Sequence, residues 1–313
     1  MASRVDATIR SSMDAFALEG LIPAAHTPFR KDGAIDLDRV PDQARHLLRH
    51  QLQTVFIAGS TGESHSLTIE ERRHLTARWT EVARGTPLRI IVHVGSNCLS
   101  DACALAAHAQ EAGASAVAAL APSYFKPRDL DALIACCAAI AVKAPALPFY
   151  FYDIPALTGV SLPMPEFLER ASRVIPTLAG IKFTNLDFAQ LQLCLDLKSH
   201  DIAWGVDEAL IGALACGVRS AVGSTYNFAA PIAQRLVDAF HRGDLETARR
   251  EQLRLVRLVA ALARPGYLAA AKYLMERLGV EVGPPRLPLT PLRPEQIQVL
   301  EDDLARLGFE GWM

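Results

Sequence analysis

Between residues 21 and 227 the chain alternates short, nearly continuous apolar runs with longer stretches in which apolar positions recur every three or four residues. The runs are LIPAAHTPF (21–29), TVFIAGS (54–60), RIIVHVGS (89–96), AVAALAPSY (116–124), PFYFYDIP (148–155), LAGIKFT (178–184), IAWGVDE (202–208) and SAVGSTYN (220–227). Unbroken apolar character of this length is expected of strands buried on both faces. The stretches between them read as helices. TIEERRHLTARWTEVA opens on Thr68 with Glu71 three residues on, a capping box. LSDACALAAHAQEAG starts near Ser100 and stops at Gly113, a residue suited to the left-handed turn that ends a helix. DLDALIACCAAIAVKA, MPEFLERASRV, LDFAQLQLCLDLK and DEALIGALACG follow the same logic, the last ending at Gly217.

Eight strands alternating with helices predict an α/β fold, a (β/α)8 TIM barrel. The rival, an open doubly wound sheet, prefers a G-x-G-x-x-G after its first strand, and none is present. After Tyr226 the pattern is purely helical, over 230–242, 244–262, 266–278 and 294–307, with no linker before it. The expected organisation is an N-terminal tail (1–18), the barrel (19–228), and additional C-terminal helices packed on it (229–313).

Composition narrows the function. The chain has 313 residues, half of them apolar, and a formal charge of −2. That length supports a large core, and the near-neutral balance argues against nucleic acid or an anionic membrane as partner. No apolar run approaches the ~20 residues of a membrane span, and the N-terminus lacks the apolar segment of a secretory leader. The cysteines (Cys98, Cys103, Cys136, Cys137, Cys194, Cys216) form no C-x-x-C pair and read as reduced core residues of a cytoplasmic protein. The histidines show no H-E-x-x-H spacing, so no metal site is expected.

In such a barrel, chemistry sits at the C-terminal ends of the strands. The second run ends in Gly59-Ser60-Thr61-Gly62-Glu63, the fourth in Pro122-Ser123-Tyr124, and the fifth carries Tyr152-Asp153. The sixth carries Lys182 and Thr184, the seventh ends in Gly205-Val206-Asp207-Glu208, and the eighth in Gly223-Ser224-Thr225-Tyr226-Asn227. In a barrel these converge on one mouth. Only 6 lysines stand against 26 arginines, so a lysine inside LAGIKFT is conspicuous. Desolvation in such a strand favours the neutral amine that a Schiff-base nucleophile requires. Alone, the residue reads better as a strand-end ammonium reaching water or a carboxylate; opposite the other polar ends, the nucleophile is favoured. Tyr150 and Tyr152 lie on the same side of a strand, so spacing does not choose between them as proton donor. Pro155 ends the strand just beyond Tyr152 and favours Tyr152 at the rim. The loop FIAGSTGESHS lacks the Gly-Lys-Ser/Thr of a phosphate loop and has Thr61 where a nucleophile elbow needs serine. It is a carboxylate cradle or a plain turn. Its place opposite Lys182 favours the cradle, with Glu63 bracing the loop.

With GSTGE (59–63), YDIPALTG (152–159), IKFT (181–184), GVDE (205–208) and GSTYN (223–227) in hand, the chain resembles the Schiff-base aldolases of the dihydrodipicolinate synthase / N-acetylneuraminate lyase superfamily, from about residue 20 to the C-terminal helices. Within it the chain is most similar to the lyase branch. Leu157 stands where the synthases usually carry an arginine, and Asp207 with Glu208 suits a polyhydroxyl substrate. Asp153 stands where the family often has Asn or His, and either adds charge near the site or points away. The resemblance implies cleavage of N-acetylneuraminate to pyruvate and N-acetylmannosamine through an imine on Lys182, with no cofactor or metal. Another pyruvate-dependent reaction on a different 2-oxo acid, or a non-catalytic sugar-acid binder, are the alternatives. It further implies Tyr152 as proton shuttle, with Ser60 and Thr61 on the pyruvoyl carboxylate. Thr184 and Gly205 would lie near the C4 hydroxyl, and Asp207, Glu208 and Ser224 on the polyol tail. Tyr124 would join a hydroxyl relay, often across a subunit interface, in a homotetramer. Asp207 or Glu208 could instead cap the following helix.

Overall fold

The computed structural model describes residues 16–312. Its strands are β1 (Gly20–Pro23), β2 (Thr54–Ile57), β3 (Arg89–His93), β4 (Ala116–Leu120), β5 (Phe149–Asp153), β6 (Leu178–Phe183), β7 (Asp201–Trp204) and β8 (Ser220–Gly223). All pairings are parallel, in the order β1-β8-β7-β6-β5-β4-β3-β2. A parallel bridge from Ala24 to Phe56 brings β1 back to β2 and closes the (β/α)8 barrel. Each strand is shorter than the apolar run that announced it. The runs continue past the ladder because the first rim residues, such as Ala24, Ala58, Val94 and Ala121, are themselves buried and apolar.

Strand alternation sorts the core into two layers. Val55, Ile57, Val92, Val117, Phe151, Ile181, Phe183, Trp204 and Ala221 face the surrounding helices. Ile22, Phe56, Ile91, Ala118, Tyr150, Tyr152, Ala203 and Val222 fill the barrel. At the N-terminal end of the barrel the Tyr150 hydroxyl donates to Asp201 Oδ2 at 2.9 Å, and the Leu18 N–H donates to the same oxygen at 3.0 Å. That end is therefore filled and tied off, and only the opposite mouth is left for chemistry.

The Thr68–Glu71 capping box forms as expected and starts the helix Ile69–Ala83. Gly113 and Gly217 end their helices at φ +85° and +100°. The helix expected to begin near Ser100 runs Leu99–Glu111. Two α-helices have no counterpart in the sequence reading: the single turn Pro155–Thr158 after β5, and Val40–Arg49, which links β1 to β2. Its Pro41 and its Arg and His residues mask a narrow apolar face of Val40, Ala44 and Leu47. The final helices are Ala230–His241, Leu245–Ala263, Tyr267–Arg277 and Pro294–Leu307. Leu236, Leu255, Leu258, Leu274 and Leu300 of these helices share one continuous core with the outer face of the barrel. No helix among the described residues is long and apolar enough to cross a membrane. The expected tail falls mostly on residues 1–15, outside the described residues.

Candidate active site

Lys182 and Tyr152 are register partners on β6 and β5, both directed into the barrel at its mouth. The lysine Nζ lies 4.0 Å from the centre of the Tyr152 ring and 4.2 Å from that of Phe56. Lys182 is 5 % exposed, and among the described residues no carboxylate oxygen comes within the 4.0 Å of an ion pair. The reading in which this lysine only reaches out to a carboxylate therefore fails. The electron-rich ring faces hold the amine while leaving its lone pair or protons uncommitted.

Tyr150 and Tyr152 have the same strand parity but different depths. Tyr150 is spent on Asp201 at the closed end, where burial and that carboxylate push its phenol well above the ordinary range. Tyr152 stands at the open end, and its hydroxyl lies 3.4 Å from Ser60 Oγ on the far side of the barrel. This contact ties the loop after β2 to β5, the strand beside the one that carries the lysine.

That loop is tightly folded. Ala58 and Glu63 take left-handed φ values of 53° and 54°. A Cβ on Gly62 would come within 3.1 Å of the Ala58 backbone, so glycine relieves crowding where the chain doubles back. Ser60 and Thr61 are partly exposed between these points. Neither donates its N–H to another backbone group among the described residues, which leaves both N–H donors free for an anion. Glu63 is buried and turned away from the mouth, onto Lys272 Nζ at 2.7 Å and the Arg286 N–H at 2.8 Å. It braces the loop.

Next to Lys182 the ladder continues past β6, with the Thr184 N–H donating to Asp153 O at 2.8 Å and the Gly205 N–H to Phe183 O at 2.8 Å. A Cβ on Gly205 would sit 1.9 Å from Thr184 Oγ1, so this glycine makes room for that hydroxyl. The hydroxyl has no protein partner among the described residues. Likewise a Cβ on Gly223 would sit 1.7 Å from Asp207 Oδ1. Asp207 Oδ2 accepts the Thr225 N–H at 2.8 Å, and Oδ1 has no partner. Burial raises the Asp207 carboxyl to about 6, against the pull of Thr225 and Lys182. Asp207 thus reaches across to the end of β8 and does not cap its own helix. Glu208 is exposed.

Ser224 Oγ lies 2.6 Å from the hydroxyl of Tyr267, at the start of a C-terminal helix. The sequence reading did not single out Tyr267, which begins a helix far along the chain and shares no motif with the mouth. Burial, followed by the Asp207 charge, holds its phenol far above the ordinary range. Ser60, Thr61, Tyr152, Lys182, Thr184, Gly205, Asp207 and Ser224 all lie at the mouth, on or just beyond the ends of β2, β5, β6, β7 and β8.

Tyr124 does not join them within one chain. It is 79 % exposed and packs edge-on to Phe125, itself 86 % exposed. Asn97 Oδ1 holds the loop by accepting the N–H groups of Ser123 and Tyr124 at 2.8 and 3.0 Å. Asp153 lies on the outer side of β5, beside Asn185 and Cys194, and points away from the mouth. Burial raises its carboxyl to about 7. All six cysteines are free; Cys137 and Cys194 are buried, but Cys98 is exposed rather than in the core. It precedes its helix instead of lying on the buried face.

The dihydrodipicolinate synthetase family profile matches residues 17–307. The N-acetylneuraminate lyase of Xenopus tropicalis is 40 % identical over 276 residues, covering 87 % of this chain and 90 % of that protein. The structure of Proteus mirabilis N-acetylneuraminate lyase superposes with a TM-score of 0.90 at 37 % identity, covering 95 % of this chain and 100 % of the other. A catalytic-lysine mutant of Ruminococcus gnavus sialic acid aldolase superposes with a TM-score of 0.88 at 25 % identity, covering 95 % and 98 %.

Proposed function

This chain belongs to the dihydrodipicolinate synthetase family, and from that premise we propose that it is a class I aldolase, a carbon–carbon lyase that cleaves N-acetylneuraminate to pyruvate and N-acetylmannosamine. The observation that carries the reading is Lys182: buried at the mouth, facing Tyr152, with no carboxylate in ion-pair reach among the described residues. The names of the lyase relatives support the substrate, and the Ruminococcus neighbour is itself described by a catalytic lysine.

The Lys182 amine attacks the C2 ketone of the open-chain sugar acid, and water leaves to give an imine. Tyr152 takes the proton of the C4 hydroxyl, with Ser60 as the next hydroxyl in line. The C3–C4 bond breaks, its electron pair moves into the protonated imine, and N-acetylmannosamine departs as an aldehyde. The enamine takes a proton at C3, and water releases pyruvate. Ser60 and Thr61 hold the pyruvoyl carboxylate. Thr184 contacts the C4 side, in space that Gly205 leaves open. Asp207 and Ser224 hold the polyol tail, with Glu208 at its exposed outer edge. Leu157, 65 % exposed, offers no charge to a second carboxylate.

The exposed Tyr124–Phe125 pair supports assembly into a homo-oligomer, a tetramer by resemblance, in which Tyr124 completes a relay at a neighbouring mouth. The free cysteines are compatible with the cytoplasm. Incubation with pyruvate and borohydride, followed by peptide mapping, is expected to place a pyruvate adduct on Lys182; its absence sinks the aldolase reading. Pyruvate release from N-acetylneuraminate tests the substrate. Trapping without that release would point to a different 2-oxo acid.

A further inference from the structure

We propose that Lys272, in the C-terminal helix Tyr267–Arg277, is a positioning residue for the carboxylate cradle; this rests on the cradle reading above. Ser60 and Thr61 lie between two non-glycine residues in left-handed conformations, Ala58 and Glu63. Such conformations are unfavourable and persist only when the surroundings hold them. On the upstream side His93 does so. Burial holds its imidazole well below the ordinary pKa, so the ring is neutral, and Nδ1–H donates to Ala58 O at 2.8 Å. The His93 carbonyl in turn accepts from Arg72 at 2.6 Å.

On the downstream side the anchor is Lys272. Its Nζ meets Glu63 Oε1 at 2.7 Å, with both side chains 1 % exposed. The same ammonium donates to Thr27 O at 2.9 Å, and Thr27 Oγ1 donates to Gly62 O at 2.6 Å. A third bond to Pro284 O, at 3.1 Å, fixes the lysine to the C-terminal segment. One side chain therefore holds the last two residues of GSTGE by separate routes. Stability does not explain the pair, because well-packed apolar residues often replace a buried ion pair without loss. What apolar residues cannot supply is direction: a single placement of the loop, and with it of the Ser60 and Thr61 donors. Glu63 turns one oxygen to Lys272 and the other to the Arg286 N–H, so its charge serves the loop and not a ligand.

The test compares the full-length wild type with Lys272→Met and with the double variant Glu63→Gln/Lys272→Met, which leaves no lone buried charge. Two quantities are read: the pyruvate concentration for half-maximal borohydride trapping on Lys182, and amide hydrogen exchange over residues 58–66. The double variant is expected to melt within a few degrees of wild type. It should need on the order of tenfold more pyruvate, exchange faster over that loop, and reach the same adduct yield at saturation. Wild-type pyruvate dependence and wild-type exchange in the double variant overturn the proposal. Should the double variant not fold, Thr27→Val keeps the ion pair and removes only the bond to Gly62. A several-fold rise in the pyruvate requirement supports the proposal there, and no change overturns it. If wild type traps no pyruvate while loop exchange still rises in the variants, Lys272 positions the loop and the aldolase reading falls instead.

Discussion

Lys182 and Tyr152 face each other across adjacent strands with the amine 4.0 Å above the ring centre, so the proposed nucleophile and its proposed proton partner share one wall of the barrel. Their closeness is fixed by strand register, not by loop conformation, and mutations at the two positions separate chemistry from stability.

Lys182→Met keeps the length of the stem and removes a buried amine that has no carboxylate partner among the described residues. Activity should fall by on the order of 10³ or more and the borohydride adduct should disappear. The melting temperature is expected to equal or exceed that of wild type, since chemically committed residues are commonly suboptimal for the fold. Calorimetry beside peptide mapping checks both; a large drop in melting temperature would mean that the ammonium holds the barrel together.

Tyr152→Phe and Tyr150→Phe should diverge, although the residues are two apart. Loss of the Tyr152 hydroxyl is expected to lower turnover about 10²–10⁴-fold with little change in melting. Loss of the Tyr150 hydroxyl removes a donor to the Asp201 carboxylate and should cost about 1.5–3 kcal/mol in denaturant unfolding, with turnover within about twofold of wild type. Equal kinetic damage in both would contradict the assignment of Tyr150 to the closed end.

At Asp207 the expectation is a pH effect on sugar binding. Its carboxyl is raised to about 6, so acidification through that value converts a buried acceptor into a neutral acid. KM for N-acetylneuraminate should rise as pH falls below about 6, while pyruvate trapping at constant pH survives Asp207→Asn. In that variant KM should be about tenfold higher and the inflection gone. Tyr267→Phe should raise KM in the same direction through loss of its bond to Ser224.

Asp153 gives a stability effect away from the mouth. Its carboxyl ionises near pH 7 in the fold and near 3.8 when unfolded, so the folded state holds the extra proton between those values. Stability must then fall as pH rises from about 4 to about 7, and level off above. The full ionisation penalty is up to about 4 kcal/mol, from three units at 1.36 kcal/mol each. Asp153→Asn should flatten this dependence and raise stability at pH 8, as read from urea midpoints across pH. An unchanged slope would mean that the carboxyl is relieved by some partner other than Asn185.

The barrel was readable because burial on both faces leaves an unbroken apolar run, and helical periodicity between the runs is hard to mistake. Lys182 stood out for a related reason: it is a charge where the pattern has none. The choice between Tyr150 and Tyr152 was only half legible, since parity places both inside and depth along the barrel axis decides. The argument from lysine scarcity applied equally to Lys272, but in LAAAKYLMERLG a lysine reads as one polar position on an amphipathic helix. Its partner Glu63 lies more than 200 residues earlier, and no local pattern encodes a contact of that range. Tyr267 was missed for the same cause. The helix Val40–Arg49 was hidden by its own charges.

The second βα loop is fastened from the far end of the sequence, by Lys272 and by Arg286, whose guanidinium also grips Glu71 and the Gly33 carbonyl. During synthesis all eight strands leave the ribosome before either residue does. A nascent barrel can therefore pair all its strands before the loop after β2 receives its two distant anchors. The order of the chain thereby makes this loop one of the last parts of the mouth to be fastened.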